Sequence, residues 1–127
     1  MNRPEFFDHI IKLYASGVEI IRRKNAGYAT GENPFANFLN AQIVGIDPKQ
    51  GILVRTIDKI SRIGRLLEDP NNNQVKESIH DTIIDAINYL AILDALIVAE
   101  EKELPPATPH PPDEGTDGFD TSIIQKQ

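Results

Sequence analysis

The chain has 127 residues, no cysteine, 40% hydrophobic residues and a net charge of −6. That length supports one domain, and the missing cysteines exclude disulfide frameworks and thiolate zinc sites. So acidic a chain is a poor partner for duplex nucleic acid, whose affinity comes mostly from phosphate neutralisation.

No run of eighteen apolar residues marks a membrane span, and no apolar signal core follows Met1-Asn2-Arg3-Pro4-Glu5. The expectation is a cytoplasmic protein with no membrane partner. The first predicted element is a helix from Pro4 to Lys24, with Phe6, Phe7, Ile10, Ile11, Tyr14, Val18 and Ile21 at three- and four-residue steps. Arg22, Arg23 and Lys24 suit the negative end of its dipole. Residues Asn25 to Asn33 read as a loop broken by Gly27 and Gly31. Asn33-Pro34 then reads as a cap and first helical position, opening a short helix from Pro34 to Ala41 anchored by Phe35 and Phe38.

A second such start, Asp47-Pro48, opens a periodic helix to Glu68 whose apolar stripe is Leu53, Ile57, Ile60, Gly64 and Leu67. The short link Asp69 to Asn73 places the next helix antiparallel beside it. That helix runs to Glu101, with Val75, Ile79, Ile83, Ala86, Leu90, Leu93 and Ile97 as its main stripe. Beyond Leu104 five of the nine prolines fall between Pro105 and Pro112, and acids, Gly, Ser and Thr follow. Residues 104–127 therefore read as a disordered, Pro-rich acidic tail with Ile123-Ile124 as a docking element, and 1–103 as the domain. The fold class is all-α: an antiparallel bundle of about four helices.

On the last helix Glu77, Asp81, Asp85 and Asn88 fall within about 80° of arc at 100° per residue. A solvated face is the plain explanation of that spacing. Two features oppose it. The helix is apolar nearly all round between Ile83 and Val98, which marks a buried helix. Carboxylates one turn apart also repel, by roughly 0.2–0.5 kcal/mol per pair. A divalent cation relieves that repulsion, and oxygen-only ligands suit Mg²⁺ or Mn²⁺.

On the preceding helix Arg55, Asp58, Lys59, Arg62 and Arg65 occupy the arc opposite the stripe. They read either as a salt-bridged surface or as a phosphate grip, since the arginine fork matches phosphate oxygens. Lys24 can reach the same site, and Tyr28 or Phe35 can stack on a base. There is no Gly-rich phosphate loop and no nucleophile triad signature.

The runs Val54 to Ile63 and Glu77 to Tyr89, with the Lys24–Tyr28 and Asn33–Phe38 segments, resemble a phage and bacterial family described as nucleotide-modification-associated. It looks like a branch of the all-α nucleoside triphosphate pyrophosphohydrolases, the MazG-like and dimeric dUTPase group. The resemblance covers about residues 5 to 100. It implies a homo-oligomeric helical bundle, in a bacterial host cell if phage-encoded, whose acids hold Mg²⁺ and position a water to release pyrophosphate. Asp58, Glu77, Asp81 and Asp85 are then catalytic, with Glu77, Asp81 and Asp85 as metal ligands. Lys24, Tyr28, Arg55, Lys59, Arg62, Arg65 and Asn88 bind the nucleotide.

Two departures stand out. The last-helix acids are four apart, and Asp58-Lys59-x-x-Arg62 stands where active members carry Glu-Glu-x-x-Glu. Three readings stay open: a Mg²⁺-dependent (d)NTP pyrophosphohydrolase, a non-catalytic binder that sequesters a nucleotide or cyclic nucleotide, and a helical adaptor.

Overall fold

The computed structural model describes residues 1–28, 33–69, 71 and 73–103, without the side chains of 27, 28 and 73–77. The expected acidic tail, 104–127, lies outside the described residues. The fold is all-α: three long α-helices, α1 (Arg3–Tyr28), α2 (Pro48–Leu67) and α3 (Asn73–Glu103), with a 3-10 helix (Leu39–Val44) between the first two.

Helix α1 opens on a reciprocal cap. Glu5 N–H donates to Asn2 Oδ1 at 2.9 Å and Asn2 N–H to Glu5 Oε2 at 2.8 Å, which satisfies two donors that the helix leaves free. The helix continues through residues 25–28, where the sequence reads as loop. A glycine weakens a helix by about 1 kcal/mol and does not forbid it.

The short helix expected over Pro34–Ala41 is displaced. Residues 34–38 form hydrogen-bonded turns instead, and the 3-10 helix begins at Leu39. Asn33 Oδ1 does accept from Phe35 N–H at 3.0 Å, as a cap would. The bonds that follow are mostly one residue tighter than α-helical, Ala36 to Asn33 and Phe38 to Phe35. So short an α-helix has too few bonds to offset nucleation, and the anchoring of its two phenylalanines decides the geometry. Gly45, at φ 75°, ends the segment with a left-handed turn and returns its N–H to the Gln42 carbonyl.

Helix α2 is capped as the sequence implies, with Asp47 Oδ1 accepting from Lys49 N–H at 2.9 Å and Pro48 at the first position. It is antiparallel to α3. Lys49 at its start meets Glu100 at 2.6 Å, Lys59 in its middle meets Asp85 at 3.2 Å, and Arg62 further on meets Ser78 Oγ at 2.8 Å. The backbone and side-chain hydrogen bonds from Lys49 hold the Asp47 carboxyl below its ordinary pKa. Hydrogen bonds to Glu100 and Asp47 raise that of the Lys49 ammonium.

Helix α3 packs on both α2 and α1, while α1 and α2 do not pack on each other among the described residues. The α1 contact is antiparallel too: Gly17 meets Asn88, and Lys24, two turns later, meets Asp85.

The face that α2 turns to α3 is not its apolar stripe. Ile52 and Thr56 are each 1% exposed, whereas Leu53, Ile57, Ile60 and Leu67 are exposed. The buried arc is centred about 80° round the helix from the stripe. Thr56 and Thr82 fit that seam because each hydroxyl donates to its own helix, to Ile52 O at 2.9 Å and Ser78 O at 2.6 Å. Across it Ala86 and Leu96 of α3 are buried.

From Ser78 to Glu103 α3 is long and apolar enough to cross a membrane by length and composition. A central core helix has the same composition.

Candidate functional site

A cavity of about 360 Å³ opens where the end of α1, the 33–38 turn and the middle of α3 meet. It lies at the small end of the range of ligand pockets. Local chemistry closes it. Asn25 Nδ2, near the end of α1, donates to the Pro34 carbonyl at 3.1 Å and ties the turn down. The turn then delivers Phe35 and Phe38 to one wall, and Ile20, Ile21, Tyr89 and Ile92 are the larger apolar side chains of the others.

The aromatic wall is ordered from outside. The Arg55 guanidinium stands 5.2 Å from the centre of the Phe38 ring, and Tyr89 meets that ring edge-on at 6.4 Å. A cation over an aromatic face holds the ring in place and keeps its own charge at the rim.

The polar end is built around Asp85. Its Oδ2 is 3.2 Å from Lys59 Nζ and its Oδ1 is 3.8 Å from Lys24 Nζ. Lysines from two helices that do not touch each other thus converge on one half-buried carboxylate of the third. Two cations thus meet one acid, and Arg55 lines the same cavity, an excess of positive charge suited to phosphate oxygens. Four amides, Asn25, Asn33, Asn37 and Asn88, also line the cavity.

Of the residues expected at the site, Lys24, Arg55, Asp85 and Asn88 line the cavity, while Lys59 does not line it and reaches it through its pairing with Asp85. Asn88 is 7% exposed and donates Nδ2 to the Gly17 carbonyl at 3.1 Å, so it also clamps α1 to α3. Arg62 bonds Ser78 and Arg65 bonds Ser61 at 3.3 Å, both away from the cavity. Asp58 and Asp81 are exposed and do not line it. The side chains of Glu77 and Tyr28 lie outside the described residues. Among the described residues no three His, Asp or Glu side chains form a cluster that could hold a metal ion.

Sequence reasoning missed Ile20, Ile21, Tyr89 and Ile92. They belong to apolar patterns that fit any core, and only the turn packed over them makes them a lining. The Arg55–Phe38 pairing had no sequence signal, since Phe35 and Phe38 read equally as core anchors.

No protein-family model, characterised protein or solved structure matches this chain.

Proposed function

We propose that this chain binds a nucleotide, with the base against Phe35, Phe38 and Tyr89 and the phosphates at Lys24, Lys59 and Arg55. One observation carries the reading: an aromatic-walled cavity of about 360 Å³ has Lys24, Arg55 and Asp85 in its lining, with Lys59 from a separate helix paired to that Asp85. The amides of Asn25, Asn33 and Asn37 stand where base or sugar edges would need partners. The resemblance to the all-α pyrophosphohydrolases is consistent with this reading and belongs with it as part of the proposal.

The second reading is catalytic, a Mg²⁺-dependent (d)NTP pyrophosphohydrolase. It rests on Asp81 and Asp85 standing one turn apart on α3, Asp85 in the cavity lining and Asp81 exposed beside it. Mg²⁺ is commonly held by one or two carboxylates with substrate phosphates and waters, so these two acids suit an ion carried in by the nucleotide. Such an ion would offset charge on the phosphoryl oxygens. The basic arc of α2, with Asp58-Lys59-x-x-Arg62, favours binding over turnover.

Incubating the protein with the eight common NTPs and dNTPs, with Mg²⁺, with Mn²⁺ and with EDTA, separates the two. Thermal stabilisation without pyrophosphate release identifies a binder. Metal-dependent release lost in Asp81→Asn and Asp85→Asn identifies the enzyme. Neither signal with any nucleotide refutes both.

A further inference from the structure

The aromatic-walled cavity has a neighbour. A second cavity, of about 560 Å³, lies between the 33–38 turn and the end of α3, with Leu39, Leu96, Ala99, Glu100 and Glu103 in its lining. Asn33, Pro34 and Phe35 line both cavities, so the turn is a wall they share. Glu103 is the last residue of α3. The chain therefore continues from the lining of the second cavity, with the aromatic one just across the turn.

The sequence beyond Glu103 carries its chemistry in a matching order. Leu104 to Pro112 holds five prolines and no acid, so Glu100 and Glu103 do not repel it. Glu100 is moreover paired with Lys49 at 2.6 Å. The acids come later, Asp113, Glu114, Asp117 and Asp120, against the single base Lys126. Among them stands Phe119, the only phenylalanine, tyrosine or tryptophan beyond Glu103, with Asp117 two residues before it and Asp120 directly after. A ring set among carboxylates has the same two parts as a ring joined to phosphates. The cavity suits both parts: Phe35, Phe38 and Tyr89 for the ring, and Lys24 and Arg55, with Lys59 beside Asp85, for the negative charge.

Reach is sufficient. The 16 residues from Leu104 to Phe119 extend up to about 53–58 Å, whereas Asp85 lies about 27 Å back along α3 from Glu103.

We propose that the segment Asp117–Asp120 of this same chain docks in the aromatic-walled cavity as an internal competitor, its Phe119 ring against Phe35, Phe38 and Tyr89 and its carboxylates toward Lys24 and Arg55. The docking stands on the chemistry of the cavity and of the segment. Its consequence, autoinhibition, rests on the nucleotide reading. A tether supplies an effective concentration on the order of 1 mM, so a contact with a dissociation constant of about 0.5 mM keeps the cavity about two-thirds filled and lowers the apparent nucleotide affinity about threefold.

The full chain has no cysteine, so Thr121→Cys takes one nitroxide label beside the docking segment. In isotopically labelled protein this label is expected to broaden the backbone amide signals of Phe38, Tyr89 and Ile92. Adding Asp117→Asn, Phe119→Ala and Asp120→Asn to the same chain is expected to remove the broadening. In chains without the label, the triple variant is expected to bind nucleotide about threefold more tightly than wild type. No broadening at the cavity, or broadening that survives the triple variant, would overturn the docking whatever nucleotides do. So would equal broadening of an unmodified, isotopically labelled chain by separately added nitroxide-bearing chains, because the segment would then dock on another molecule. Equal nucleotide affinity in wild type and variant would overturn the competition. Cavity broadening as expected with no nucleotide bound by either protein would refute the nucleotide reading and leave the docking in place.

Discussion

Asn88 and Gly17 are fitted to each other across the α1–α3 contact: the amide Nδ2 donates to the Gly17 carbonyl at 3.1 Å, and Oδ1 occupies the space where a Cβ would stand. Gly17 is a mid-helix residue whose lack of a side chain lets a buried amide lie on the backbone of α1. The expected consequence is that Gly17→Ala destabilises, although alanine alone favours a helix by about 1 kcal/mol. Asn88→Ala should cost about 1 kcal/mol for the lost bond, since the Gly17 carbonyl keeps its place in the helical ladder. The double variant should be more stable than the sum of the two losses. Urea midpoints of the four proteins check this.

Asp85 competes with any phosphate for Lys24 and Lys59. Two unit charges 4 Å apart interact by about 1 kcal/mol in water, so Asp85→Asn should tighten nucleotide binding by roughly fivefold. A carboxylate that held a catalytic metal would give the reverse, weaker binding and lost pyrophosphate release. Equilibrium binding to the wild type and Asp85→Asn distinguishes the two.

Arg55→Lys keeps the charge and loses the planar contact with the Phe38 ring. An exposed cation–π pair contributes about 0.5–1 kcal/mol, so affinity should fall by roughly two- to fivefold with little change in its salt dependence. Arg65→Lys, on a side chain that faces Ser61 away from the cavity, should leave affinity unchanged. Titration at two salt concentrations checks both.

The α2 cap gives a pH signature. The folded pKa of Asp47 is lowered, so its contribution to stability is present above the ordinary carboxylate value and is lost as pH falls through the folded value. The folded pKa of Lys49 is raised, so its contribution is present below the ordinary lysine value and is lost as pH rises through the folded value. The Tm difference between wild type and Asp47→Asn should therefore be largest near neutrality and vanish in acid. Lys49→Met should show its deficit at neutral pH and lose it in strong alkali.

Much of this was legible in the sequence because it is local. The Asp47-Pro48 start of α2, the short link to an antiparallel α3 and the all-α class follow from caps and periodicity. Which arc of α2 meets α3 was not legible. The Leu53, Ile57, Ile60, Gly64 and Leu67 stripe is the most apolar one, yet the seam runs along Ile52 and Thr56, and periodicity cannot tell which arc a neighbouring helix covers. The convergence of Lys24 with Lys59 on Asp85 was equally hidden, since it depends on α1 and α2 both flanking α3. Asn88 looked like a ligand contact by its place beside the acids. Its bond to Gly17 depends on a close approach that only the packed helices reveal.

The most direct test is calorimetric titration of the common nucleoside triphosphates into wild-type protein, repeated with the tightest binder on Lys24→Met/Lys59→Met. Micromolar binding that falls at least tenfold in the double variant, with its unfolding midpoint retained, is the expected result. Binding that survives the double variant unchanged, or no binding by any nucleotide, would contradict a nucleotide site at this cavity.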